Sequence, residues 1–115
     1  MTDTELIILA EKTIDLIANI VEAEDKDCLI DIDFQDSILN LTTEQGVFVI
    51  NKHSVAKEIW LSSPISGPYH FHYILGIWKS RLSKNLIEIL QQELKINFHL
   101  YQQNFKQLDN SIINI

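Results

Sequence analysis

Seven acidic residues, Glu22, Glu24, Asp25, Asp27, Asp31, Asp33 and Asp36, fall within fifteen positions, and Lys26 alone opposes them. Carboxylate oxygens are ligands for hard cations. In an extended strand Asp31 and Asp33 share one face about 7 Å apart. Like charges at that distance repel by about 0.6 kcal/mol in water and about 2 kcal/mol at an effective dielectric near 20. Cations, protons or a basic protein surface would relieve the strain. No His or Cys pair interleaves with these acids at metal-ligand spacing, so a closed transition-metal cage is not expected. The stretch reads as a shallow, exposed set of weak sites or, alternatively, as a solvated edge.

A second candidate is Trp60, in Ile59-Trp60-Leu61-Ser62-Ser63-Pro64-Ile65-Ser66-Gly67-Pro68. Strand side chains alternate between faces, so a core placement of Ile59 and Leu61 turns Trp60 outward. An exposed Trp forgoes much of the roughly 1.5–3 kcal/mol that burying a large apolar side chain is worth, and Trp is a preferred interface anchor. Asn51, Lys52, His53 and Lys57 lie nearby in the pattern, which makes a partner surface the expectation. The alternative is that Trp60 packs under a loop or against Lys52. His70 and His72, at i and i+2, share a strand face; they could chelate a metal or set the charge of the patch, but two solvent-facing histidines explain them as simply.

Other chemistries find no residues. Ser62, Ser63 and Ser66 lie in a turn with nothing to activate them, and no phosphate loop, dinucleotide fingerprint or zinc motif occurs. The chain is expected not to be an enzyme. Its net charge of −7 is segregated: residues 1–58 hold 13 acids and 4 Lys or Arg, residues 59–115 hold 3 and 5. The acidic half argues against nucleic acid and against anionic membrane. The first residues carry Asp3 and Glu5 rather than a basic leader, and a single cysteine suits a reducing compartment; together these predict a cytoplasmic protein.

The elements that must position these groups follow from periodicity. Leu6, Leu9, Ile14, Ile17, Ile20 and Val21 predict a helix over about Asp3 to Glu24, with Thr2 and Glu5 as a capping box. Alternating runs at Ile30–Phe34, Ile38–Leu41, Val47–Asn51, Glu58–Leu61 and Tyr69–Tyr73, with a short one at Ile77–Lys79, are separated by turn residues. A second helix is expected from about Lys84 to Ile96, with Ser83 as N-cap and Leu86, Ile87, Leu90 and Leu94 as its stripe. Helix, antiparallel strands, helix predicts an α+β two-layer sandwich, with a sheet of five to six strands and both helices on one face. Residues 1–115 read as one domain. Residues 97–115, with Phe98, Leu100, Phe105, Leu108, Ile112 and Ile113, are too apolar for a free tail and are expected to pack partly over the helices.

The Trp60 segment, extended leftward into Gly46-Val47-Phe48-Val49-Ile50-Asn51-Lys52-His53, resembles the signature of the frataxin family, and Gly67-Pro68-Tyr69-His70-Phe71 resembles its bacterial branch. The likeness runs from about residue 5 to residue 96 and implies the same sandwich. It implies iron binding along the acidic ridge, with Glu22, Asp25, Asp27, Asp31 and Asp33 as matching positions and Glu11 and Asp15 matching in part. Ala18, Asn19, Ala23 and Leu29 stand where many bacterial members carry acids. It also implies docking to a cysteine desulfurase and an iron–sulfur scaffold protein, through a surface including Asn51, Lys52, His53, Trp60 and His70. His53 replaces a common Gln. The implied role is an iron-binding accessory and regulator of iron–sulfur cluster assembly, monomeric, with oligomers that form when iron binds. Weak ferroxidase or iron-storage activity and a metal-independent interaction module remain the alternatives.

Overall fold

The computed structural model describes residues 1–113. Helix α1 spans Asp3–Glu24 and opens with the capping box: the Glu5 amide donates to the Thr2 hydroxyl (3.1 Å) and the Thr2 amide to Glu5 Oε1 (2.9 Å). The Thr2 amide, and after it the Thr2 hydroxyl, hold the Glu5 carboxyl below its usual pKa. Leu9, Ala10, Thr13, Ile14, Ile17, Ala18, Ile20 and Val21 are buried, so the helix presents one continuous apolar face.

Six strands follow as an antiparallel meander in sequence order: β1 Asp31–Gln35, β2 Ile38–Thr43, β3 Gly46–His53, β4 Glu58–Ser63, β5 Gly67–Ile74 and β6 Ile77–Lys79. Leu39 and Leu41, Phe48 and Ile50, Ile59 and Leu61, Phe71 and Trp78 all point inward and are buried with the helix residues. The intervening positions point outward, so each strand carries one core face and one free face.

Helix α2 is shorter than expected, Leu86–Leu94, and its N-cap is Asn85 rather than Ser83. The Asn85 carboxamide accepts from the amides of Ile87 (2.9 Å) and Glu88 (3.3 Å). Ser83 instead sits in a compact turn at φ 59, its amide bonded to the Ser80 carbonyl. The helix stops at Lys95, whose left-handed conformation ends the α-helical ladder. Beyond it, a 3-10 turn, Phe98–Tyr101, leads into α3, Gln102–Ile113. Phe98 and Ile112 are buried and join the core, and α3 packs against α1. Residues 114–115 of the expected tail lie outside the described residues.

Candidate partner surface and acidic ridge

Register places the candidate residues on shared rows of the outward sheet face. Ile38 pairs with Asn51, Asn51 with Trp60, and Trp60 with His70. One row along, Asp33 pairs with Asn40, Asn40 with Val49, Val49 with Ser62 and Ser62 with Pro68. Asp31 and Asp33 therefore belong to the same free face as Asn51, His53, Trp60 and His70, and the ridge and the aromatic surface are continuous across β2 and β3.

Lys52 does not belong to that face. Alternation sends it toward α1, where its Nζ lies 2.7 Å from Glu11 Oε1. The expected grouping of Asn51, Lys52 and His53 fails because consecutive strand residues cannot share a face. Glu11, expected in part as a ridge acid, is committed to this pair. Lys57 reaches back to Asp3 at the start of α1, at 3.3 Å.

Trp60 is half-buried rather than a free outward ring. Its indole lies between two imidazoles, with centroids 4.0 Å from His53 and 4.0 Å from His70 and interplanar angles of 12° and 9°. Its Nε1–H donates to Glu58 Oε1 at 3.0 Å. The Ala56 amide donates to His53 Nδ1 at 3.2 Å, which fixes one outer layer through the β3–β4 turn. The motif Glu58-Ile59-Trp60 contained a signal for Glu58, since i and i+2 share a strand face.

The turn after Trp60 is a clasp. Ser63 Oγ accepts from the amides of Ile65 (3.0 Å) and Ser66 (3.1 Å) and donates to Glu93 Oε1 on α2 (2.6 Å). Ser66 Oγ donates to Glu93 Oε2 at 2.6 Å. Pro64 lies against Gly46: a Cβ on Gly46 would stand 2.7 Å from Pro64 Cβ, and φ there is +125. The Ser/Pro/Gly pattern thus builds a junction of two turns and a helix. Glu93 and Gly46, which lie far from it in sequence, complete the junction.

The ridge is less fastened. Asp25 accepts from the amides of Leu29 (3.0 Å) and Ile30 (2.8 Å), one on each carboxylate oxygen, and so closes the loop between α1 and β1. Glu24 accepts from the Tyr101 hydroxyl at 2.8 Å, a bond that raises the Tyr101 pKa. Lys26 turns its Nζ to the Ala23 carbonyl (2.9 Å), capping the helix end instead of neutralising an acid. Glu22, Asp27, Asp31 and Asp33 are exposed. Among the described residues, no three His, Cys, Asp or Glu side chains converge to hold a metal ion. The donor set suits a hard cation held loosely by one or two carboxylates.

The profile of the frataxin-like domain matches residues 1–100. The chain belongs to the frataxin family. It is similar to the mitochondrial frataxin-like protein of Leishmania donovani, at 33% identity over 113 residues, covering 83% of this chain and 60% of that one. To the mitochondrial frataxin homolog of Schizosaccharomyces pombe it is 38% identical over 102 residues, covering 81% of this chain and 63% of that one. The chain thus spans somewhat under two thirds of the length of these two relatives. Among solved structures, trimeric frataxin from Saccharomyces cerevisiae with its full-length N-terminus superposes with a TM-score of 0.70 at 32% identity, covering 76% of each chain. The same yeast trimer complexed with ferrous iron gives 0.63 at 32% identity, covering 79% of this chain and 82% of that one.

These relatives overturn the expectation of a cytoplasmic protein, because both sequence relatives are named mitochondrial. An acidic first turn and a lone cysteine do not separate the cytosol from other reducing compartments. Both are also eukaryotic, so the family likeness holds while the narrower likeness to the bacterial branch gains no support from them.

Proposed function

We propose that this protein is a non-catalytic, iron-binding accessory and regulator of iron–sulfur cluster assembly, docking to a cysteine desulfurase and its scaffold protein. The observation that carries the reading is the continuity of the free sheet face. Asn51, the His53–Trp60–His70 stack and the β1 acids form one surface, broad enough for a protein and too open for a substrate pocket. The stack holds Trp60 in a fixed orientation, so little side-chain freedom is lost when a partner covers it.

Iron, as cargo, would be held by Glu22, Asp27, Asp31 and Asp33, with Asp25 shaping the loop between them. Binding by so few fixed ligands is weak and exchangeable, which suits delivery or signalling better than storage. The ferrous complex of the yeast relative supports iron as the cation, and the trimeric state of that relative supports oligomers. The mitochondrial names of the two sequence relatives support a mitochondrial site of action.

The test is cluster assembly by the cognate desulfurase and scaffold, with and without this protein, beside Trp60→Ala and Asp31→Asn/Asp33→Asn variants. The rate and the desulfurase affinity should change with the first variant, and the iron dependence with the second. If neither variant alters binding or rate, the proposed surface is wrong. Amide chemical-shift mapping during anaerobic ferrous titration locates the metal, and shifts centred away from residues 22–33 would remove it from the ridge. A metal-independent docking module is the second reading, favoured by the lack of convergent ligands among the described residues. Desulfurase binding unchanged by full chelation would select it.

A further inference from the structure

On the helix side of the molecule, away from the sheet face, α1, α2, α3 and the β5–β6 hairpin enclose a cavity of about 440 Å³. That lies within the roughly 300–1,000 Å³ range of small-molecule sites. Its composition is specific. Tyr73 and Trp78 form an aromatic corner, with centroids 5.1 Å apart and planes tilted by 54°. Phe98 and Phe105, from the tail, add two further rings to the lining. Two carboxylates, Asp109 and Glu88, line the same space.

The hydrogen-bonding state of the lining narrows the ligand. The Trp78 indole N–H is already given to Thr13 Oγ1 at 3.3 Å. The Tyr73 hydroxyl is given to Asp109. Burial first, and then the Asp109 carboxylate, push the Tyr73 phenol well above its ordinary pKa, so it stays an uncharged donor to Asp109 at neutral pH. The aromatic wall therefore has its polar hydrogens spent; Tyr73 and Phe105 are half-exposed at the cavity, with Trp78 and Phe98 buried behind them. Glu88 has no side-chain hydrogen-bond or ion-pair partner among the described residues, and the Asp109 oxygens keep lone pairs beyond the bond to Tyr73. Lys106 is the one Lys or Arg in the lining; it is exposed, and its long stem lets the ammonium stand in water. Two half-exposed rings, Tyr73 and Phe105, with two carboxylates match a positively charged group attached to an apolar body, held by ring quadrupoles and by charge. An anion would meet carboxylates and the negative faces of the rings.

We propose that this cavity binds a small organic cation, an ammonium carried on an aromatic or apolar body, at a site separate from the acidic ridge and the Trp60 surface.

The experiment is an NMR titration of the full chain with 2-phenylethylammonium and, separately, with uncharged 2-phenylethanol, both at fixed ionic strength. The two indole N–H signals serve as internal reporters: Trp78 lines the cavity and Trp60 lies on the sheet face. The ammonium should shift Trp78 and the amides of residues 73–78 and 98–109 saturably, leave Trp60 unmoved, and bind about tenfold tighter than the alcohol. Asp109→Asn should reduce that preference to about twofold or less. Because Asp109 also fastens α3, Glu88→Gln, at an exposed position, is the parallel variant and should lower the preference by about threefold. Equal binding of the alcohol, absence of saturation, shifts centred on residues 22–33, or an undiminished preference in both variants would each overturn the proposal.

Discussion

The Trp60 region and the acidic ridge share one sheet face but are built in opposite ways. Around Trp60, the indole has a ring on each side and a carboxylate on its N–H, and the turn that follows is bonded through Ser63 and Ser66 to Glu93. Along the ridge, Asp25 and Glu24 are engaged, the one lysine serves a backbone carbonyl, and exposed acids repel one another without an ion pair among the described residues. The first region spends its interactions on holding a shape. The second leaves its interactions unspent, in wait for a ligand. A preorganised anchor beside an unsatisfied charge cluster is the division of labour that the proposed function, partner recognition with cation exchange, would require.

The contrast can be broken in graded steps. Truncation after Lys95 removes the buried Ile96, Phe98 and Ile112 and, with Tyr101, the bond to Glu24 that steadies the ridge end of α1. It should cost about 5 kcal/mol, at the upper end for deleted core side chains, seen as a large fall in the thermal midpoint. Gly46→Val puts a branched side chain at φ +125 against Pro64 and should cost about 3 kcal/mol by urea unfolding. Trp60→Ala should weaken desulfurase binding by about 2 kcal/mol, or roughly thirtyfold by calorimetry, with a smaller loss of stability. Asp31→Asn/Asp33→Asn should do the reverse at the ridge, raising stability by about 0.5–1 kcal/mol through lost repulsion while reducing iron binding; added salt should reproduce the stabilisation in the parent chain alone.

The smallest effect expected is at alkaline pH. Tyr73 has a folded pKa raised above its ordinary value of 10.0. A raised folded pKa contributes stability that is fully present below the unfolded value and is lost as pH climbs past it toward the folded one. The midpoint should therefore decline above about pH 10, and decline less steeply in Tyr73→Phe.

Periodicity made the architecture readable. The α1 stripe, its capping box and the alternation of every strand reflect local rules, and the structure follows them. Ser83 and Asn85 could each have capped α2; which one does so depends on the turn at Ser80–Lys84 and on the bridge between Lys79 and Asn85, a tertiary matter. The candidate surface was legible in composition but not in arrangement. Alternation turns Trp60 outward, yet its packing between His53 and His70 depends on the register of three strands, and alternation sends Lys52 to the opposite face. The Glu93 clasp and the cavity beside Trp78 join residues far apart in the chain, which no window along the sequence can pair.

One consequence concerns the end of the sheet. β1 lies at its edge, with one side of its backbone unmatched by another strand and with Phe34 and Ile38 partly exposed beside it. Such an edge is a template for growth by a neighbouring chain, and charges placed along it are what keep neighbours away. Asp31, Asp33 and Asp36 thus act as sentries, and the repulsion that weakens the fold also keeps copies of it apart. Without that charge, the unmatched backbone of β1 would be left open to pairing with a neighbouring strand.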